Sequence, residues 1–213
     1  MASALSREQR LSCEFWDSAG IALLCMARAR SPEKRQAILQ SAVREIAEAG
    51  LGASTAKIAS GAGLAEGTMF TYFSSKDDLL NELYIELKTE IYQRIHAEFP
   101  LKSDLRDRAR HIWNEYLRWA MDKPEERKVS VLLNLSTIVT AETRAGVDSK
   151  RGAVAQTMDE LAKHGSFKNL PPGFTTSAMS AMQGAVMEMA ARKPRQKAIL
   201  VEQAFDAFWQ MAK

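Results

Sequence analysis

Apolar residues recur every three or four positions along most of the 213-residue chain, which is the spacing of helices that each bury one face. No stretch of the sequence has the pattern of a strand, so the predicted fold class is all-α. The spacing, together with glycine, proline and capping residues, predicts helices over residues 32–49, 55–62, 65–72, 76–99, 105–121, 125–142, 147–163, 174–191 and 195–211.

Residues 53–80 contain two short predicted helices joined by a turn and followed at once by a longer helix. Ser54 or Thr55 can cap the first short helix, and Gly63 supplies the turn because glycine adopts backbone conformations that other residues resist. Two helices joined in this way form a helix-turn-helix, whose second helix enters the major groove of DNA. The stretch therefore predicts a DNA-binding site.

The second short helix directs Met69 and Phe73 toward the core. The faces that this leaves for DNA carry Glu66, Gly67, Thr68, Thr71 and Tyr72. Ser75 and Asp78 have the spacing of a capping box at the start of the next helix. Lys76 falls in the first turn of that helix, where a cation opposes the helix dipole, so we expect this lysine to meet a DNA phosphate.

In these residues the chain resembles the TetR family of bacterial transcriptional regulators, over roughly residues 33–87. The family's motif has a glycine at the turn, a threonine and an aromatic residue in the recognition helix, and Phe-x-x-Lys before the following helix. This chain has Gly63, Thr68, Tyr72 and the run from Phe73 to Lys76 at those places. The resemblance implies DNA contacts by Thr55, Lys57, Thr68, Tyr72 and Lys76.

Phe70 departs from the family pattern, which usually has tyrosine at that position. Because phenylalanine has no hydroxyl group, the sequence leaves open whether this position contacts a phosphate. The hydroxyl of Tyr72 is an alternative donor, although Tyr72 points about 200° further round the helix.

Basic residues cluster before the motif at Arg28, Arg30, Lys34 and Arg35, opposed by Glu33. Such an arm can lie along phosphates or enter the minor groove, and a solvated tail is the equally weighted alternative. The formal net charge of +3 is small, so any binding to nucleic acid must depend on local clusters of this kind.

Residues 1–25 differ in composition from the rest and contain both cysteines, Cys13 and Cys25. Met26 is a natural start for a small regulator, so we interpret residues 1–25 as an extension or a misassigned start. Glu14 and Asp17 argue against a signal peptide. No apolar run is long enough to span a membrane, and these features together predict a soluble, cytoplasmic protein.

The remaining chain divides into a predicted DNA-binding domain over residues 26–80 and a helical domain over residues 81–213. The family resemblance implies that the second domain binds a small-molecule effector and forms a homodimer. Side chains of mixed polarity predict a pocket at Trp113, Tyr116, Trp119, Asn134, Thr137, Met158 and Met182. The alternative is that these residues are ordinary core.

The last two helices are predicted to form the dimer interface, because one offers small residues and the other bulky ones. The residues assigned to it are Ala178, Ala181, Ala185, Phe205, Phe208 and Trp209. Packing within one chain is the alternative.

Enzyme chemistry has little support, since His96, His111 and His164 are scattered and no nucleophile elbow or phosphate loop occurs. No metal or cofactor is expected. The sequence predicts a regulator, most simply a repressor, with palindromic operator DNA, a small-molecule effector and a second copy of the chain as partners. A helical ligand-binding or protein-interaction module without operator binding is the alternative.

Overall fold

The computed structural model describes residues 31–213, and residues 32–213 form one compact unit. The described residues fold into α-helices and two short 3₁₀ turns, with no strand. The helices are α1 Pro32–Ala49, α2 Thr55–Gly61, α3 Glu66–Met69, α4 Lys76–His96, α5 Leu105–Asp122, α6 Pro124–Leu135, α7 Ala141–Asp148, α8 Ala153–Leu161, α9 Phe174–Arg192 and α10 Lys197–Gln210. The predicted all-α class is confirmed.

Most helices lie where the apolar spacing predicts them, but α3 is shorter than the predicted span of 65–72. After Met69 the backbone tightens, with the amides of Thr71 and Tyr72 donating to the carbonyls of Thr68 and Met69 at 3.0 and 2.9 Å. These bonds reach back three residues rather than four, which is the pattern of a turn. Helix α4 ends at His96, three residues before the predicted end.

The single helix predicted over residues 125–142 is wrong, because the chain breaks between α6 and α7. Asn81 of α4 accepts from the amide of Thr140 at 3.0 Å and donates to the carbonyl of Ile138 at 3.1 Å. The Thr140 hydroxyl then caps α7 by accepting from the amide of Thr143 at 3.1 Å. Side chains thus satisfy backbone groups that a continuous helix would have paired.

The helix predicted over residues 147–163 is also shorter than expected. Helix α7 ends at Asp148, and Gly152, with φ of +48°, precedes α8. The segment between the helices predicted over residues 147–163 and 174–191 contains a 3₁₀ turn, Gly165–Asn169, that buries Phe167. None of the described helices is both long and apolar enough to cross a membrane.

Two hydrophobic clusters hold the helices together. The first joins the apolar faces of α1 to α4, and it also takes Val129 and Leu133 from α6 and Val147 from α7. The second joins the end of α4 to α5 and α8 to α10, with Trp113 of α5 at its centre. Helices beyond residue 81 therefore pack against the helix-turn-helix, and the division of the chain near residue 80 remains a prediction.

Candidate nucleic-acid interface and ligand cavity

The start of α2 is not capped as the sequence predicts. Ser54 occupies the N-cap position, yet its side chain accepts no capping hydrogen bond. The hydroxyl of Thr55 instead donates to the Glu66 carboxylate at the start of α3. Two residues predicted to contact DNA are therefore bonded to each other, and the bond ties the beginnings of the two short helices together.

Two glycines give the helix-turn-helix its shape for different reasons. Gly63 has φ of +71°, and a Cβ built on it would meet no atom within 4 Å, so the backbone conformation is what requires glycine. Gly61 faces α1, where a Cβ would lie 2.4 Å from the Ser41 hydroxyl. The carbonyl of Gly61 also accepts from Arg44 of α1 at 3.2 Å. A side chain at residue 61 would therefore require the Ser41 hydroxyl to move, and the local sequence pattern does not indicate this contact between α1 and α2.

The predicted recognition face is open to solvent. Glu66, Gly67 and Thr71 are exposed, and Phe70 keeps 40% of its surface accessible. Thr68 and Tyr72 are half-buried, while Met69 and Phe73 are buried as predicted. Lys57 of α2 is exposed as well. An exposed phenylalanine beside polar residues is suited to an apolar contact with a thymine methyl group.

Lys76 is the first residue of α4, next to a cap that differs in part from the predicted capping box. The Ser75 hydroxyl accepts from the amide of Asp78 at 3.0 Å, as expected. The carboxylate of Asp78 reaches back to the amide of Ser74 at 2.7 Å rather than to that of Ser75. Because this cap fixes the first turn of α4, it also fixes where the Lys76 side chain begins.

Of the predicted basic arm, the structure describes Lys34 and Arg35. Arg28 and Arg30 lie outside the described residues. Arg35 is bound to α4 through Glu82, at 2.6 Å, and its guanidinium lies 5.8 Å from the Phe73 ring centroid. Arg35 therefore contributes to the packing of α1 against α4, which is a different role from the phosphate contact that the charge cluster predicts.

A cavity of about 370 Å³ lies among the helices that follow the helix-turn-helix. Of the predicted pocket residues, Tyr116, Asn134 and Met158 line it. Trp113 and Trp119 are buried in the second hydrophobic cluster, and Thr137 and Met182 also lie outside the cavity lining. For Trp113 the reason is clear, since its indole N–H donates to the carbonyl of Val201 at 3.2 Å and its rings pack on α10.

Several lining residues were not predicted, and most of them come from α4 and α9. Tyr84, Lys88 and Tyr92 line the cavity at intervals of four residues, and Asp148 and Arg151 line it from the end of α7 and the turn beyond. The interval of four places the first three on one face of α4. That spacing is visible in the sequence, but a polar stripe on a long helix is ordinarily read as a surface facing solvent.

Burial governs the charge state of the cavity. It lowers the pKa of Lys88 to about 8, with Arg144 and Arg151 acting in the same direction and Asp148 opposing them. Burial also raises the pKa of Tyr92 to about 12 and raises the pKa of Tyr84, so these phenols are hydrogen-bond donors at neutral pH. The Lys88 ammonium lies 5.4 Å from the Tyr84 ring centroid.

Two of the six residues predicted for the dimer interface are in the core of the chain itself. Phe205 and Phe208 are 1% and 0% exposed, and their ring centroids lie 5.9 and 6.2 Å from that of Trp113. A side chain that is already buried gains nothing from a second copy, so the prediction is wrong for these two. Ala181 and Ala185 are exposed, and Ala178 and Trp209 are half-buried.

These features define the chain as a helix-turn-helix DNA-binding protein whose fourth helix leads from the motif to a cavity among the later helices. Residues 38–83 match the model of the family described as bacterial regulatory proteins, tetR family. The DNA-binding region of the chain therefore matches the TetR family of transcription regulators, as the resemblance in the sequence implies.

Solved structures support the assignment over most of the chain. A protein of Shewanella sp. PV-4 assigned to the TetR family of transcription regulators is 29% identical, with a TM-score of 0.73 over 83% of this chain and 96% of that one. A TetR family regulator from Marinobacter aquaeolei VT8 has the same fold, with 24% identity and a TM-score of 0.71 over 82% and 95% of the two chains.

A curated relative, the fatty acid metabolism regulator protein of Bacillus subtilis (strain 168), is 34% identical over 76 residues. The matched region covers 35% of this chain and 39% of that relative's length. The two solved structures are described as transcription regulators and the curated relative as a regulator of fatty acid metabolism.

Proposed function

We propose that the chain is a repressor that binds a palindromic operator as a homodimer and is released when a small molecule enters the cavity. The observation that carries this proposal is the course of α4. Its first residue, Lys76, belongs to the DNA-binding motif, and Tyr84, Lys88 and Tyr92 further along the same helix line the cavity. One rigid element therefore connects the two sites.

A second connection runs through α7. The beginning of α7 is held to α4 by Asn81, and its last residue, Asp148, lines the cavity. A ligand that displaces α7 or α4 would change the position of the helix-turn-helix, because Val147 of α7 packs in the same hydrophobic cluster as the motif. Paired recognition helices fit successive half-sites only near a separation of roughly 34 Å, so a small displacement is enough to prevent docking.

The homodimer would form through the outer faces of α9 and α10. Met189 of α9 and Ile199 of α10 border a common groove, and Ile199 is 61% exposed. The exposed Ala181 and Ala185 allow a second helix to approach α9 closely. This surface replaces Phe205 and Phe208 in the interface, and the mechanism would act in the cytoplasm, where the operator is.

A binding site selected from a random duplex library tests this function. We expect a palindrome with half-sites about 10 base pairs apart or a multiple of that, and affinity that falls steeply as salt concentration rises. A duplex with one half-site scrambled, measured by fluorescence anisotropy, is the matched control and should bind far more weakly. Selection that yields no consensus, or equal affinity for the scrambled duplex, would contradict operator binding.

A further inference from the structure

The charged side chains of the cavity are unevenly balanced. Among the described residues that line it, the charged ones are Lys88, Arg151 and Asp148, which leaves an excess of one positive charge. Arg144, which stacks over the Tyr84 ring at 5.5 Å, adds a further positive charge behind this wall.

Asp148, the one carboxylate among the described lining residues, is already in an ion pair. Asp148 lies 3.8 Å from the Arg151 guanidinium in an ion pair, and Arg151 also donates to the Thr176 hydroxyl at 3.3 Å. Within the part of the chain that the structure describes, the Lys88 ammonium is in no hydrogen bond or ion pair, and its recorded contact is the face of the Tyr84 ring. Lys88 thus offers three donors to whatever enters the cavity.

Lys88 is half-buried, and burial lowers its pKa although the nearby Asp148 carboxylate favours the charged form. A ligand that brought an acidic group would supply an ion-pair partner, and hydrogen bonds between charged groups are stronger than those between neutral ones. A cationic ligand would instead meet like charge from Lys88 and Arg151.

The rest of the lining is suited to an apolar body. Ile91 and Ile95 of α4, Ile112 of α5 and Met158 of α8 supply aliphatic surface, and Met179 of α9 adds a flexible side chain. The cavity volume lies near the lower end of the usual range for small-molecule sites, which favours a compact ligand.

We propose that the cavity binds an amphipathic anion, with its acidic headgroup facing Lys88 and Arg151 and its apolar body against the isoleucines of α4 and α5. This inference rests on the proposed function, since it names the class of effector for the same cavity. A carboxylate and a phosphate monoester share the required chemistry.

Isothermal titration of the full chain with four decyl compounds tests the proposal without DNA. Decanoate and monodecyl phosphate carry the acidic group, while decanamide is the neutral match and decylamine the cationic one. We expect one anion bound per chain, at least tenfold more tightly than decanamide and decylamine, because one charge-assisted hydrogen bond provides about that much discrimination. Tighter binding of monodecyl phosphate than of decanoate would assign the headgroup to phosphate, and the reverse order would assign it to carboxylate.

Variants of one residue complete the test. Lys88→Met should weaken decanoate binding about tenfold and leave decanamide binding unchanged, and Lys88→Arg should retain the preference for the anion. Lys102→Met, in the exposed turn before α5, is the matched control and should behave like the unchanged chain. Equal affinity for decanoate and decanamide, tighter binding of decylamine, or unchanged decanoate binding by Lys88→Met would overturn the proposal. Anisotropy with the selected operator, measured on the same preparation without ligand, reports separately on DNA binding.

Discussion

The helix-turn-helix and the cavity share α4. The motif is assembled from residues close together in the sequence, whereas the cavity brings together residues far apart in the sequence. The side-chain hydrogen bonds that shape the motif, from Arg44 to Gly61 and from Thr55 to Glu66, join residues at most 17 positions apart. The cavity depends on bonds such as the one between the ring of His96 and the carbonyl of Arg151, 55 positions away.

This difference affects how polar groups are used. In the motif, the polar groups of Thr55, Thr71 and Asp78 bond to near neighbours and fix the backbone in a shape that can dock on DNA. In the cavity, Lys88 forms no ion pair or hydrogen bond with a described residue, and its ammonium lies over the Tyr84 ring. The motif has a fixed shape before it binds, which suits docking on B-DNA of regular geometry. In the cavity, Lys88 can form an ion pair only when an anionic ligand binds.

The largest expected effect concerns the surface that joins two copies of the motif. Ile199→Glu would place carboxylates in the proposed seam of α9 and α10, where desolvation without a partner is costly. We expect monomers in light scattering, unchanged helical content, and operator affinity lower by about two orders of magnitude, because the second half-site no longer adds avidity.

Leu101→Glu is the control, since Leu101 is an exposed apolar residue in the turn between α4 and α5. It should remain dimeric. Dimers that persist in Ile199→Glu would show that this surface is not the dimer interface.

A smaller effect is expected at the point where the motif meets α4. Lys76→Ala removes one predicted phosphate contact, so operator and nonspecific duplexes should both bind about tenfold more weakly. The slope of log affinity against log salt concentration should fall by about one. Lys102→Ala is the control. A loss confined to the selected operator would contradict the phosphate assignment.

The same contrast explains how far the sequence could be interpreted. Gly63, Met69 and Phe73 could be placed in the helix-turn-helix because short-range periodicity and turn chemistry define their roles. The break between α6 and α7 could not, since it depends on the side chain of Asn81, 57 to 59 positions away. The apolar spacing over residues 125–142 does not indicate a contact with Asn81.

Residue type was a weaker guide in the cavity than in the motif. Trp113 and Trp119 were predicted to line a pocket because aromatic residues often do, yet they fill the second hydrophobic cluster. The sequence does not single out Lys88, because a lysine on a long helix is normally solvated. The placement of Lys88 follows from the packing of α7 against α4 and from α9 forming another wall of the same cavity. These contacts are long-range, so the local sequence pattern does not predict them.

The ionisation of Lys88 gives a prediction that applies to the cavity alone. Burial lowers its pKa to about 8, so the cation is largely present at pH 7 and largely absent at pH 9. Decanoate should therefore bind about tenfold more weakly at pH 9 than at pH 7, while operator binding without ligand should change little.

The charged and titratable groups around Lys88 are Asp148 and Arg144 of α7, Arg151 beyond it, Tyr84, Tyr92 and His96 of α4, and Tyr116 of α5. Lys88→Met isolates the contribution of Lys88, because its affinity for decanoate should be the same at both pH values. Equal affinity of the unchanged chain at pH 7 and pH 9 would place the anion elsewhere.

The smallest effect on DNA binding is expected from Asn81→Ala, which tests whether the two regions communicate through α7. The substitution leaves the amide of Thr140 and the carbonyl of Ile138 without their partner, at a cost of about 1–3 kcal/mol in the free energy of unfolding. Operator affinity without ligand should change by less than about threefold, because the contacts within the motif remain and only a long-range tether is lost.

Hydrogen exchange provides the direct measurement, since the amide of Thr140 should lose protection in Asn81→Ala while amides within α2 and α5 keep theirs. Asn114→Ala in α5 is the matched control, because alanine is a better helix former and Asn114 holds no recorded side-chain hydrogen bond among the described residues. If Asn81 carries the coupling, decanoate should release the selected operator from the unchanged chain at a lower concentration than from Asn81→Ala, although both bind decanoate equally well. Identical release curves, with the exchange of Thr140 changed, would show that α4 alone transmits the effect of the ligand.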